Sequence, residues 1–294
     1  MSDRLQELTV FVRAAETGSF SKAGRELGLS QPSISRIVND LEARLGVRLL
    51  LRTTRQVTPT DAGIAFLERA RQVIHDLEAA EDVARGIDSL RGQLRVALPV
   101  TFGLREVIPR LPGFLQRYPC LRLDLLMTDD RQDLVAERVD VAIRLGELAA
   151  SAFGARRLAT APRLMIASPA YLAARGAPRT PADLAGHYLV CGGGPGSRRS
   201  WRFTRHGAAV SVEVESRIQC STGEGVMACI RAGQGVGMAS LWMCRTELET
   251  GAVVPVLEGY DLETAVVHAV FPGGPRPSAK VRALVDYLAA ELSR

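Results

Sequence analysis

The sequence predicts an α/β protein built in three parts: an N-terminal winged helix-turn-helix, a long linker helix and a two-lobed α/β remainder. Three observations lead there. Residues 19–55 carry two amphipathic helical patterns separated by a glycine turn and followed by a basic hairpin. Thr60 to Leu90 reads as one long helical segment with a narrow apolar strip. From Gly92 onward, short strand patterns alternate with helical ones, the signature of an open α/β sheet.

Bulk properties agree. The chain has 294 residues, and domains run to about 100–200, so two or three are expected. Hydrophobic residues make up 47%, enough for packed cores. The formal net charge is +5. Between Gly18 and Pro59, Lys22, Arg25, Arg36, Arg44, Arg48, Arg52 and Arg55 face only Glu26, Asp40 and Glu42, so this window alone is net +4. A polyanion suits such a segment. Five cysteines without a CxxC pair argue against a zinc site or a disulfide framework. No charged-then-apolar leader opens the chain, and no apolar run reaches about 18 residues. A reduced, cytoplasmic protein without a membrane span is expected.

The first helix runs from Asp3 to Thr17, with Leu8, Phe11, Val12 and Ala15 on one stripe and Gly18 as its stop. Ser19 or Ser21 caps a second helix through Leu27, whose N-terminus suits a phosphate. Gly28 makes the turn. Ser30 caps the third helix, and Pro32 fits its first turn. Ile34, Ile37, Val38, Leu41 and Leu45 form its apolar stripe. Gln31, Pro32, Ser35, Arg36 and Asn39 lie opposite, free to meet base edges or phosphates. Gly46 stops the helix. A basic hairpin follows, with Arg52 and Arg55 at its tip within reach of a minor groove or phosphates. In the linker helix, Leu67, Ala70, Ile74, Leu77, Glu81 and Ala84 follow heptad spacing. That strip fits either a partner helix or the chain's own core.

The remainder begins with the strand GQLRVALPV, a helix ending at Pro119, the strand LRLDLLMT, a short helix over DRQDLVAERVD and the strand DVAIRLG. A mostly parallel sheet is expected, with ligand points at Thr101–Phe102, Thr128 and Arg144–Glu147. After Thr160 a second unit starts. It includes an antiparallel pair around His206, a glycine-rich loop lacking the GK[ST] of a phosphate site, and a helix then a strand over CSTGEGVMACIRAGQGVGMAS. TAVVHAVFP returns to the first unit, and a helix closes the chain. The expected boundaries are 1–59 for the winged helix-turn-helix, 60–90 for the linker and 91–294 for the remainder. Lobe I takes 91–160 and 267–294, and lobe II takes 161–266.

The stretch FVxAAExGSFSKAGRELGLSQPSISRIVNDLEARLGVRLLLRTTRQVTPTDAG, from Phe11 to Gly63, resembles the DNA-binding domain of LysR-type transcriptional regulators. The SQPSISR core, the LExxLG turn and the TPTDAG exit match the family's spacing. Gly24 departs from the usual Ala and is expected to weaken the second helix by up to about 1 kcal/mol. The resemblance implies DNA contacts from Ser21, Gln31, Pro32, Ser33, Ser35 and Arg36, with Arg52 and Arg55 in the wing. It implies dimers through the linker, a dimer of dimers, an inverted-repeat operator on double-stranded DNA and contact with RNA polymerase. The remainder is similar to the family's regulatory domain, a periplasmic-binding-protein-like (type 2) fold with a small effector between lobes. Matching positions are Thr101, Phe102, Thr128, Arg144, Gly146, Ser168, Trp201, Cys220, Ser221 and Thr222. Hydroxyls and free N–H groups before helices, at Thr101 and Ser221–Thr222, favour an anionic effector. Arg144 fits either a ligand carboxylate or a structural ion pair, and Trp201 fits either a ligand wall or the core.

Cys220 and Cys229 have a spacing similar to the redox pair of the family's peroxide sensors, which offers an alternative switch. An enzyme is not expected. His75, His187, His206 and His268 are scattered, and neither HExxH nor GxSxG occurs. No cofactor or metal is expected.

Overall fold

The computed structural model describes residues 4–52, 56–85, 90–130, 132–148, 153–193, 199–272 and 277–293. Its first body holds α1 (Arg4–Thr17), α2 (Phe20–Leu27) and α3 (Gln31–Leu45). Ser19, rather than Ser21, caps α2 by accepting from Lys22 N at 3.4 Å, and Ser30 caps α3 by accepting from Ser33 N at 3.2 Å. Both helices end on left-handed glycines, Gly28 and Gly46. Phe11, Ile34, Val38, Leu41 and Leu49 are sealed in one apolar cluster. The wing pairs β1 (Leu50–Arg52) antiparallel with β2 (Val57–Pro59). Arg55 lies outside the described residues.

α4 (Asp61–Arg85) starts at Thr60, whose Oγ1 accepts from Gly63 N at 2.9 Å. Its expected seam divides. Leu67 and Ala70 are buried in the first body's own core, and Phe66 meets Phe11 edge-on at 5.3 Å. Leu77 of the seam is exposed and Ile74 is half-buried, and Ile64 and Val73, outside the seam, are exposed as well. The Glu81 and Ala84 side chains lie outside the description.

Lobe I comprises β3 (Gly92–Leu98), a helical run, β4 (Leu121–Met127), β5 (Val141–Leu145) and β6 (Gly154–Ala161). The run joins α5 (Val100–Phe102), a π-helical turn at Gly103–Val107, a 3-10 turn at Ile108–Arg110 and α6 (Leu111–Arg117). The sheet order is β4-β3-β5-β15-β6, where β15 is Ala265–Phe271. As expected, the strands run mostly parallel: β3, β4, β5 and β6 share one direction, and β15 opposes them. The reason is topological: β6 leaves for lobe II, and β15 re-enters from it, so the two run oppositely. β6 was not foreseen, because Arg156–Arg157 interrupt its apolar alternation. The expected helix after β4 is a hydrogen-bonded turn, with Glu137 N donating to Asp133 O and Val139 N to Leu134 O, both at 2.9 Å.

Lobe II runs in order through β7 (Arg163–Ala167), α7 (Pro169–Arg175), β8 (Leu189–Gly192), β9 (Arg199–Arg205), β10 (Ala208–Val214), β11 (Ile218–Cys220), α8 (Gly223–Arg231), β12 (Val236–Ser240), α9 (Leu241–Glu249), β13 (Val254–Val256) and β14 (Asp261–Leu262). They form the sheets β11-β8-β12-β7-β13 and β10-β9-β14. The glycine-rich loop at 194–198 lies outside the described residues. α10 (Ala279–Leu292) closes the chain on lobe I through Val281, Leu284, Val285 and Leu288. Trp242 of α9 crosses over into the lobe I core, edge-on to Phe102 at 5.4 Å.

Candidate functional site

The first body presents one polar helix face. Gln31, Pro32, Arg36 and Asn39 of α3 are exposed, while Ile34, Val38 and Leu41 on the opposite side are buried. Ser33 and Ser35 are half-buried. Ser21 of α2 donates to Gln31 Oε1 at 3.1 Å, which joins the start of both helices. The Ser33 hydroxyl lies 2.8 Å from that of Ser30, inside the cap.

Arg52 is not the free wing-tip cation that its place in the hairpin suggested. Its guanidinium folds back onto α3, donating to Asn39 Oδ1 at 2.7 Å and Ser35 Oγ at 3.2 Å, and lies 4.9 Å over the Phe20 ring. Glu42 anchors this arrangement. It is buried, accepts from Leu49 N and Leu50 N at 2.8 and 2.9 Å, and pairs with Arg48 at 2.9 Å and Arg52 at 3.4 Å. Burial works to raise the Glu42 carboxyl, but the two backbone N–H groups and the two arginines outweigh it. The carboxyl stays below its ordinary range. The family-like LExxLG turn contained this residue, yet nothing in the local pattern announced its long-range partners.

The regulatory residues fall into separate groups. Thr101 stands against the first residue of α8: a Cβ on Gly223 would lie 2.6 Å from Thr101 Oγ1. That Oγ1 is buried and has no hydrogen-bond partner among the described residues. Ser221 is exposed beside it in sequence, and Thr222 caps α8 by accepting from Gly225 N at 3.2 Å. The N–H before Thr101 is not free for an anion, because Val100 N donates to Asp129 Oδ1 at 3.0 Å. Thr128 is held by its own turn, accepting from Asp130 N at 3.2 Å. Arg144 stands opposite His268 in the β5–β15 register, and Gly146 N donates to Val266 O at 2.8 Å.

Three expected effector residues are placed differently. Phe102 is core, packed on Trp242. Ser168 caps α7 at the far end of lobe II, near Gly233 beyond the C-terminus of α8. It is thereby separated from Thr222 by the length of α8, about 13 Å. Trp201 belongs to the lobe II core and also walls a cavity of about 290 Å³ with Arg163, Arg202, Met238, Leu262 and Glu263.

Two ionic junctions escaped the sequence reading, because each joins residues far apart in the chain. Arg105 of lobe I grips two lobe II carboxylates. It donates to Glu224 from Nε at 2.6 Å and Nη2 at 3.0 Å, and to Glu247 from Nη1 at 2.7 Å and Nη2 at 2.9 Å. Burial works to raise Glu247, the Arg105 guanidinium outweighs it, and the carboxyl is held low. Arg138 of lobe I lies 3.3 Å from Glu16 and 3.6 Å from Glu26 of the first body, beside Arg13 and Arg71.

Family models decide what this assembly is. One described as the bacterial regulatory helix-turn-helix protein, lysR family, matches residues 5–64, and one described as the LysR substrate binding domain matches residues 88–293. The chain belongs to the LysR family of transcriptional regulators. The HTH-type transcriptional regulator CrgA of Neisseria meningitidis serogroup C (strain 8013) is 33% identical over 294 residues, covering 99% of this chain and 98% of that one. The solved structure of CrgA, a LysR-type transcriptional regulator, aligns with a TM-score of 0.65 at 33% identity over 98% of this chain and 99% of that one. ArgP from Mycobacterium tuberculosis, at 19% identity, shares the fold with a TM-score of 0.68 over 98% of this chain and 96% of that one. Among the described residues of this LysR-type regulator, no helix is long and apolar enough to cross a membrane.

Proposed function

We propose that this regulator reads an inverted-repeat operator as a dimer, and that a small effector held between the lobes changes the spacing of its two DNA-binding bodies. The observation that carries the DNA half is α3, with a sealed apolar face and an open polar one carrying Gln31, Pro32, Ser35 and Arg36. Such a helix fits the major groove, and the capped N-terminus of α2, with Ser21 nearby, suits a phosphate. Ser33 contributes through the α3 cap, and Arg55 from the wing. Dimers form through the exposed Ile64, Val73 and Leu77 of α4, and regulatory domains join dimers into a tetramer that meets RNA polymerase.

For the effector half, the orphaned Thr101 Oγ1 supports a ligand between Thr101 and Ser221–Thr222. A buried hydroxyl without a partner is costly until something satisfies it. Thr128, Arg144 and Gly146 lie at or just past the carboxyl ends of lobe I strands, on the same edge of the sheet as Thr101. Asp129 has taken the nearest free N–H, so the pull on an anion comes from α8 and Arg144. The effector must bind the two arrangements unequally to shift them. Gel shifts on a promoter fragment test this. Arg36→Ala should lose operator discrimination while retaining non-specific binding, and an unchanged shift pattern would sink the assignment.

A second reading rests on one distance: Cys220 Sγ and Cys229 Sγ are 3.9 Å apart. A hydroperoxide would take two electrons and two protons from the thiols, leaving a disulfide and yielding water and an alcohol. Burial and the neighbouring Cys229 raise the Cys220 thiol, which lowers its thiolate fraction and slows the attack. Thiol titration after peroxide treatment, with Cys229→Ser as control, discriminates. Retention of both thiols excludes the redox reading.

A further inference from the structure

The outer face of α3 carries Ser35, Arg36 and Asn39 nearest the wing, and Arg52 engages two of these three. Its Nη2 donates to Asn39 Oδ1 at 2.7 Å and its Nη1 to Ser35 Oγ at 3.2 Å. The guanidinium is itself held by Glu42 at 3.4 Å and by the Phe20 ring. A guanidinium has donors only. The Asn39 atom facing it is therefore necessarily the carbonyl oxygen, and both N–H bonds of Nδ2 are left for another partner. Ser35 likewise accepts from Arg52 and keeps its own O–H to donate. Gln31 is different. Its partner is the Ser21 hydroxyl, which can donate or accept, so that amide is free to turn over.

We propose that Arg52 is a specificity-determining residue that acts through Asn39, fixing the orientation of its amide so that position 39 favours a base with acceptors facing its two N–H groups. An asparagine with both amide atoms free pairs with adenine, accepting from N6 and donating to N7. With Arg52 on Oδ1, adenine N6 would have to share that oxygen's second lone pair with a guanidinium already bonded to it, which weakens the adenine pair. Guanine presents two acceptors, N7 and O6, to the same pair of N–H groups. The base facing Asn39 is therefore guanine rather than adenine. This rests on α3 entering the major groove, and the sequence preference belongs to the wing as much as to the helix.

The test uses the full-length protein. Binding selection from a randomised duplex pool gives the preferred site. Anisotropy titrations on that duplex, and on versions with single-base changes, are then run over a range of salt. The wild-type protein should prefer guanine to adenine at one position per half-site by about tenfold. Arg52→Ala should erase or reverse that preference there and leave the salt slope nearly unchanged. Asn39→Ala should flatten the same position, and the double variant should lose no more discrimination than Asn39→Ala alone, because the two act as one unit. If Arg52→Ala keeps the preferred site, weakens all duplexes alike and reduces the salt slope by about 0.9, Arg52 is a phosphate contact and the proposal fails. Should Arg52→Ala not fold, Asn39→Asp takes its place. It still accepts from Arg52 but has no N–H, so guanine preference surviving in it overturns the proposal. Unchanged affinities in Arg36→Ala and Asn39→Ala together would instead defeat the groove reading of α3.

Discussion

Gly24 shows how a single missing methyl is misjudged from sequence. As a helix residue it costs up to about 1 kcal/mol relative to Ala. In the fold, however, a Cβ at position 24 would lie 2.5 Å from Leu29 O, the backbone that closes the turn into α3. Gly24→Ala should therefore lower the melting temperature rather than raise it, and a rise on thermal denaturation would show that the turn relaxes freely. A Cβ at position 63 would sit tighter still, 2.0 Å from Leu49 O. Glu42→Gln should cost about 1–3 kcal/mol, since it weakens bonds to two backbone N–H groups and two arginines. The pH dependence has a defined sign. A carboxyl held below its ordinary value of 4.5 stabilises the fold above that pH, and the contribution drains away as pH falls through the lower folded value. Urea titrations of wild type and Glu42→Gln should accordingly converge in acid and separate near neutrality. The caps and the buried stripe of α3 were legible in sequence because they are local and periodic. The partners of Glu42 and Arg52 were not, since side-chain hydrogen bonds across 6 to 17 positions leave no periodic trace.

At the scale of elements, α4 carries two sets of apolar residues, one inside the first body and one outside it. Leu67 and Ala70 complete the core of the first body, while Ile64, Val73 and Leu77 stay outside it. Leu8, Leu45, Phe66 and Val73 line a groove of about 240 Å³ beside them. The two sets should respond differently to substitution. Leu67→Ala should destabilise the DNA-binding body by about 2–4 kcal/mol, as other large-to-small core changes do. Val73→Glu should leave the melting of that body unchanged and shift sedimentation toward the monomer. If Val73→Glu sediments like wild type, the exposed face of α4 is not the dimer contact. The helix itself was readable from its length and cap, but which residues of an amphipathic strip face inward depends on α1, which the strip does not encode. The turn at Asp133–Val139 follows the same logic: eleven residues with helical composition, anchored between two parallel strands, close into a turn instead.

Across the whole molecule, Arg105, Trp242 and Arg138 help tie the parts together. Arg105 links lobe I to α8 and α9, Trp242 plugs lobe II into the lobe I core, and Arg138 joins lobe I to α1 and α2. Arg105→Ala would leave Glu247 buried without its cation, which should cost the regulatory domain about 2–4 kcal/mol. Urea unfolding monitored by circular dichroism would check this, with the loss shrinking as acid neutralises Glu247. Two lobes were legible in the sequence because strand and helix patterns restart after Thr160 and return near the end. Their mutual grip was not, because it joins positions separated by more than a hundred residues. The seating of Trp242 has an optical consequence. The chain has two tryptophans. One reports on the joint between lobes, and the other, Trp201, on the cavity beside the crossovers at Arg163 and Glu263. Indole emission moves with the polarity of its surroundings, so the protein carries an unlabelled fluorescent gauge of any motion between its lobes. In Trp201→Phe, the remaining signal would follow the hinge alone.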